Sequence, residues 1–167
     1  MNNITTTTTS TNTAAMSEPD GFVPKLFATL DAQTRAELSP HLRRERYERG
    51  QTILIEGDEP SALYFVEQGL ARLVQLSPQG RVFVLGYAGP GDCLNLPCAL
   101  AAQPIIATAE AVVDTRLAVL ASERWRAALD RNPALCRAVV QQLTEQLRAT
   151  SQLVRELALH PVSARLA

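Results

Sequence analysis

The sequence predicts a mainly β fold: a small, jelly-roll-like double-stranded β-roll with short flanking helices, followed by one long dimerising α-helix. Two patterns predict it. Short β-prone runs recur between Tyr47 and Leu120, fenced by Gly50, Gly57, Gly69, Gly80 and the Gly89-Pro90-Gly91 cluster. Turn signals about every 8–12 residues fit a sandwich or barrel of short strands, with glycine supplying the tight corners. After Asn132-Pro133, apolar residues recur at alternating three- and four-residue steps, which is the seam of a coiled coil.

At 167 residues the chain fits a single core. The formal charge is −1, and Lys25 is the only lysine among 16 Lys and Arg residues, so nothing marks the chain as a general polyanion binder. No segment reaches the ~20 uninterrupted apolar residues of a membrane span. Residues 1–20 form a Thr-rich stretch too poor in apolar surface to offset its ordering entropy, and disorder is expected there. The stretch has neither the basic end nor the apolar centre of a secretion signal, so the chain is expected in the cytoplasm.

The elements follow in order. Leu26, Phe27, Leu30, Leu38 and Leu42 recur roughly at helical spacing, with breaks at Asp31 and Ser39-Pro40, and predict short helices before the roll. From Tyr47 the texture turns to strands at Thr52–Ile55, Leu63–Val66, Ala71–Leu76 and Arg81–Gly86. Asn95 ahead of Pro97 opens a brief helix, and strands resume from Ala107 to Leu120. Ser122 is expected to cap a helix containing Trp125 and Leu129, and Asn132-Pro133 to open the long helix, Ala134 to about His160. Its seam is Val140, Leu143, Leu147, Thr150, Val154 and Leu157, read as the interface of a homodimer. The domains expected are a tail at 1–20, a sensory roll at 21–132, a dimerisation helix at 133–160, and at 161–167 a hinge with the first turn of a further, truncated domain.

Three stretches resemble the Crp/Fnr family of bacterial transcription regulators. They are Gly50 to Asp58 with Leu63 to Gly69 and Arg72-Leu73, then Gly89-Pro90-Gly91-Asp92, then Leu147 to Ala158. Together they cover most of Tyr47 to Ala167. The resemblance implies a cyclic-nucleotide-binding-type roll, a helix that pairs two subunits, and a hinge at His160-Pro161-Val162. It also implies that DNA is read through a helix-turn-helix domain beyond this hinge. A recognition helix needs Arg, Lys, Asn or Gln at the groove, and the chain as read contains no such element.

Family members that bind cyclic AMP hold its phosphate with a Gly-Glu pair opening the short helix and an Arg-Ser pair entering the next strand. Helix amides and a guanidinium then neutralise the phosphate, while the carboxylate accepts the ribose hydroxyl. Here Asn95-Leu96 and Ile105-Ile106 stand at those places, and no Arg or Lys lies between Arg81 and Arg116. A buried phosphate without a counter-charge costs several kcal/mol, so cyclic AMP is not expected to bind. Thr150 and Ser151 match helix positions that reach the nucleobase in the family; they read equally as a polar layer of the seam.

The replacement pocket is read as Cys93, Asn95, Leu96, Ile105, Ile106, Thr150 and Ser151, with Cys98 nearby. Its effector is left open between an apolar ligand such as haem, an unidentified small metabolite, and no ligand at all. His41 and His160 are the only histidines, and neither falls within the roll core. An iron-sulfur cluster would need four thiolates against the three cysteines Cys93, Cys98 and Cys136. The cysteines have no CxxC spacing for a structural zinc site, and Cys93 and Cys98 have no neighbouring cation in sequence to make a reactive thiolate, so buried structural thiols are expected of these two. No Ser, His and acid cluster and no metal-ligand spacing is present, so neither a catalytic residue nor a metal site is expected, and the chain is not read as an enzyme.

Overall fold

A computed structural model describes residues 22–28, 30–77 and 79–159. The Thr-rich stretch and the hinge at His160-Pro161-Val162 lie outside these residues. The order of elements is α1 (Lys25–Ala28), α2 (Ala32–Leu38), a 3-10 turn (Ser39–His41), then β1 (Arg43–Tyr47), β2 (Thr52–Leu54), β3 (Ala62–Gln68), β4 (Ala71–Leu76) and β5 (Val82–Ala88). After these come α3 (Leu96–Ala101), β6 (Thr108–Ala111), β7 (Thr115–Ala121), α4 (Ser122–Arg131) and α5 (Pro133–Leu159).

Two antiparallel sheets form, one in the order β1-β7-β3 and one in the order β2-β6-β4-β5. In the first sheet β3 and β7 are buried on both faces, which their residue alternation accounts for, while β1 forms an exposed edge. Ala62, Val66, Leu117 and Val119 face the second sheet, while Leu63, Phe65, Ala118 and Leu120 face the helices. The interior between the sheets also takes Ile53, Leu54, Ala71, Ala88, Ala109 and Ala111. On the other side Leu26, Phe27, Leu30, Leu38, Trp125, Leu135, Ala138 and Val139 pack on the sheet, and the Phe27 and Phe65 rings meet at a centroid distance of 5.4 Å. The result is three layers: helices, a doubly buried sheet, and an outer sheet.

Strand β1 departs from the sequence expectation, which began the strands at Tyr47. Its residues Arg43-Arg44-Glu45-Arg46 carry no β signal, yet they pair in register with β7, from Arg43 opposite Val119 to Tyr47 opposite Thr115. Ion pairs hold the charges at the edge: Arg43 to Glu45 at 2.7 Å, Arg46 to Asp114 at 2.9 Å and Arg44 to the buried Glu67 at 3.1 Å. Arg116 meets the second Glu67 oxygen at 3.3 Å. The turn into β4 needs glycine at position 69, whose φ is +95° and where a Cβ would sit 2.6 Å from the Asp114 carbonyl oxygen.

Two helix starts also differ. Ser122 is the first residue of α4, with Ala121 at the cap position, and its hydroxyl donates to the Pro60 carbonyl at 2.7 Å. It ties the helix to the distant turn ahead of β3 and makes no cap bond to the helix amides. Asn132 does cap α5: its Oδ1 accepts from the amides of Ala134 and Leu135, both at 3.0 Å.

Candidate functional site

The site region is built on the segment that leads from β5 into α3. The Gly89-Pro90-Gly91-Asp92 turn is pinned on three sides. The Gly91 amide donates to the Val66 carbonyl at 2.7 Å and the Val66 amide to the Asp92 carbonyl at 2.9 Å. The Asp92 carboxylate accepts from the Gly89 amide at 2.9 Å and from Lys25 Nζ at 2.7 Å, and the Lys25 amide donates to the Gly91 carbonyl at 3.0 Å. Residues 91–95 therefore run beside β3 as an extra, irregular strand, with Cys93 bridged to Phe65.

Asn95 follows, and its side chain explains why it is buried. Its Oδ1 accepts from the Tyr64 amide at 3.2 Å and its Nδ2 donates to the Ala62 carbonyl at 2.7 Å. The side chain thus anchors the start of α3 to β3 and makes no cap bond to the helix. Pro97 occupies the first turn of α3, where it removes one of the free amides that could face an anion. The helix ends on Ala102 in a left-handed conformation, φ 51°.

The loop beyond α3 is stitched to its surroundings through backbone. The Ile105 amide donates to the Asp58 carbonyl and the Gly57 amide to the Ile105 carbonyl, both at 2.8 Å. Gln75 Nε2 donates to the Ile106 carbonyl at 2.6 Å.

These contacts sort the predicted pocket residues. Ile105 and Cys98 face the interior between the sheets, whereas Cys93 and Leu96 face the helix-side core. Asn95 is consumed by β3. Ile106, expected to line the pocket, is 60% exposed, because the loop bends there, burying Ile105 and Ala107 and leaving Ile106 on the outside between them. Thr150 and Ser151 are solvent-facing on α5, and the Thr150 hydroxyl donates back to the Gln146 carbonyl at 2.9 Å.

A cavity of about 190 Å³ adjoins Ile105, between β2 and the turn at residues 58–61. Its lining combines the apolar Ile53 and Leu54 with the hydroxyls of Thr52, Ser61 and Tyr64 and the carboxylates of Asp58 and Glu59, and it contains no Arg or Lys. Burial raises the phenol pKa of Tyr64, and burial with the hydrogen bond to Glu45 does so for Tyr47, so both stay protonated. Burial pushes the Cys93 thiol up to about 12, which leaves it a neutral, poorly nucleophilic group. A haem iron would want a thiolate or an imidazole. Cys93 is protonated and faces the helices, His41 is exposed outside the roll, and Cys98 alone of the three faces the interior.

The expected seam on α5 divides in two. Leu143 packs against the helix-side core, while Val140, Leu147 and Val154, seven positions apart, are 62%, 67% and 59% exposed. The Leu157 side chain lies outside the described part. A second exposed apolar face went unread in the sequence: Val82, Phe83, Val84, Leu85 and Tyr87 on the edge strand β5. Its signal was the lack of alternation in Val-Phe-Val-Leu, which resembles a doubly buried strand as much as a doubly exposed one.

A two-sheet roll with a short helix after a glycine turn, backed by a long helix, is the architecture of a cyclic-nucleotide-binding-type β-roll. Residues 44–132 match the model of the cyclic nucleotide-binding domain, and the chain belongs to that family. Among its relatives is a CRP-like cAMP-activated global transcriptional regulator of Mycobacterium tuberculosis, 22% identical over 142 residues that make up 85% of this chain and 63% of that protein. The cyclic AMP receptor protein of Thermus thermophilus is 32% identical over 108 residues, 65% of this chain and 50% of the relative. The crystal structure of the Thermus thermophilus catabolite activator protein matches with a TM-score of 0.70 at 28% identity, over 80% of this chain and 63% of that one. The chain therefore spans less than two thirds of the length of these relatives. No helix among the described residues is long and apolar enough to cross a membrane.

Proposed function

We propose that the chain is the sensory and dimerisation module of a Crp/Fnr-type transcription regulator whose roll does not grip a cyclic nucleotide phosphate. The regulator reading rests on the family and on relatives that are transcription regulators. The observation that carries the altered pocket is electrostatic. Val82 to Thr115 contains no Arg or Lys, and the cavity beside Ile105 presents Asp58 and Glu59 instead. Arg72, the one basic residue on the strands of the outer sheet, is committed to Glu110 at 2.7 Å. A phosphate brought here would lose its hydration with no guanidinium to replace it.

In this reading a small effector other than cyclic AMP, or none, sets the position of α3 and the 105–106 loop, and two copies pair through α5. DNA is engaged by a helix-turn-helix element reached through the far end of α5. An effector acts only by binding two arrangements unequally.

Isothermal titration of the chain with cyclic AMP tests it. No saturable heat is expected up to about 1 mM, the range where binding is worth only ~4 kcal/mol. Saturable binding at micromolar cyclic AMP would overturn the altered-pocket reading.

A further inference from the structure

Away from the roll interior, α1 and the Gly89–Asp92 turn meet α5 around a cavity of about 250 Å³. Leu26 and Ala138, both buried, make its apolar floor. Its α5 wall is Ala138, Gln141, Gln142 and Glu145, at positions i, i+3, i+4 and i+7, so the four share one face of the helix. The helix is apolar where it enters the core, at Leu135, Ala138 and Val139, and presents amides and a carboxylate where it reaches the cavity. Among the described residues no hydrogen bond or ion pair engages the side chains of Gln141, Gln142 or Glu145.

The other wall is an ammonium held in place. Lys25 Nζ donates to Asp92 Oδ1 at 2.7 Å, and Asp92 is itself fixed by the Gly89 amide at 2.9 Å. The Lys25 stem lies over Gly91, where a Cβ would come within 2.6 Å of Cγ, so the missing side chain of Gly91 makes room for it. The Lys25 amide adds a bond to the Gly91 carbonyl at 3.0 Å. An ammonium has three N–H donors, and Asp92 takes one of them.

Donors from Lys25 and the glutamine amides, an unpaired carboxylate at Glu145 and an apolar floor thus line one small space. A phosphate placed there would meet two carboxylates against one ammonium. A metal ion fits no better: Asp92 is already neutralised by Lys25, and no group of three metal-ligating side chains forms among the described residues. The volume falls below the roughly 300–1,000 Å³ of sites for drug-sized molecules, so the ligand is small. A small molecule that carries both an ammonium and a carboxylate matches both walls.

We propose that this cavity binds a free aliphatic α-amino acid, with its ammonium on Glu145, its carboxylate on Lys25 and the glutamine amides, and its side chain on Leu26 and Ala138. The site is separate from the roll pocket and does not depend on what the roll holds. Its α5 residues lie about 100–160° around the helix from Val140, so pairing of two copies through the Val140, Leu147 and Val154 stripe leaves it open. Both walls are held before the ligand arrives, and a preformed site loses little entropy when it is filled. A bound amino acid bridges α5 to the turn that leads into α3, joining the long helix to the segment that enters the roll.

The test is an NMR titration of the isotope-labelled chain with L-leucine, beside isoamylamine, which lacks the carboxylate, and 4-methylpentanoate, which lacks the ammonium. Saturable shifts confined to residues 25–26, 91–92 and 138–145 are expected with L-leucine. Each truncated analogue should bind at least about tenfold more weakly, as should L-leucine to Glu145→Gln, whose thermal midpoint should match the wild type. Asp58→Asn, in the cavity beside Ile105, should bind L-leucine as the wild type does. Absence of saturable shifts up to about 10 mM L-leucine, equal binding of either analogue, or insensitivity to Glu145→Gln would each overturn the proposal. So would shifts centred on residues 52–64 and 105 that Asp58→Asn abolishes.

Discussion

Leu147→Ala should weaken self-association of the chain about 30- to 150-fold while leaving the fold intact. The side chain is 67% exposed on α5, and its neighbours along the stripe, Val140 and Val154, are 62% and 59% exposed. Full burial of a leucine is worth about 2–3 kcal/mol, so the part still exposed holds about 1.5–2 kcal/mol per copy. Alanine keeps the β-carbon and forfeits about 1–1.5 kcal/mol of that, which a two-fold interface doubles to about 2–3 kcal/mol. Each 1.4 kcal/mol is tenfold in the dissociation constant. Sedimentation equilibrium from about 1 to 100 µM protein spans the range in which such a shift converts dimer to monomer. Leu143→Ala is the internal contrast: that residue packs on the chain's own core, so its loss should lower denaturant stability by about 1–3 kcal/mol through a cavity in each copy. A wild-type chain that sediments as a monomer throughout, or an unchanged constant for Leu147→Ala, would refute the assignment of the stripe to a dimer.

The other predictions concern the site region. Asn95→Leu leaves the Tyr64 amide and the Ala62 carbonyl without their side-chain partner, and should cost about 2–4 kcal/mol in urea unfolding. At neutral pH a thiol reagent should modify Cys136, which is exposed, and spare Cys93 and Cys98 until denaturant is added, as peptide mass mapping would read. Cys93 also sets an alkaline limit. Its folded thiol titrates at about 12 against an ordinary 9.0, so the unfolded chain loses its proton first. Stability from this group is complete below pH 9 and lost between 9 and 12, by up to about 1.4 kcal/mol per pH unit. Cys93→Ala should remove the slope between pH 9 and 10, below the range where Tyr47 and Tyr64 add slopes of the same sign, and a denaturation series from pH 8 to 10 that keeps the same slope would assign it to other groups.

Much of the fold was legible because it depends on local chemistry. Glycines at the corners, β-branched and aromatic runs, and the Asn132-Pro133 helix start each act within a few residues, and the structure follows them. The absence of Lys and Arg from 82 to 115, on which the proposed loss of a phosphate clamp rests, was legible too, since it holds whatever the register.

What only tertiary structure decided is where each side chain faces once distant segments meet. Strand β1 exists because β7 pairs with it and because Glu67 and Asp114 neutralise its arginines, partners more than twenty residues away in sequence. Asn95 looked like a helix cap and became a tie to β3, since a buried amide takes whichever backbone groups lack a partner. Cys93 and Cys98, five residues apart, fall on opposite sides of the doubly buried sheet, and Ile105 and Ile106 part company in the loop ahead of β6. Spacing along the chain determined that this is a roll with a long helix. Which of its residues share an interior was set by the layering of the two sheets, because burial is a property of what packs across a strand and not of the strand itself.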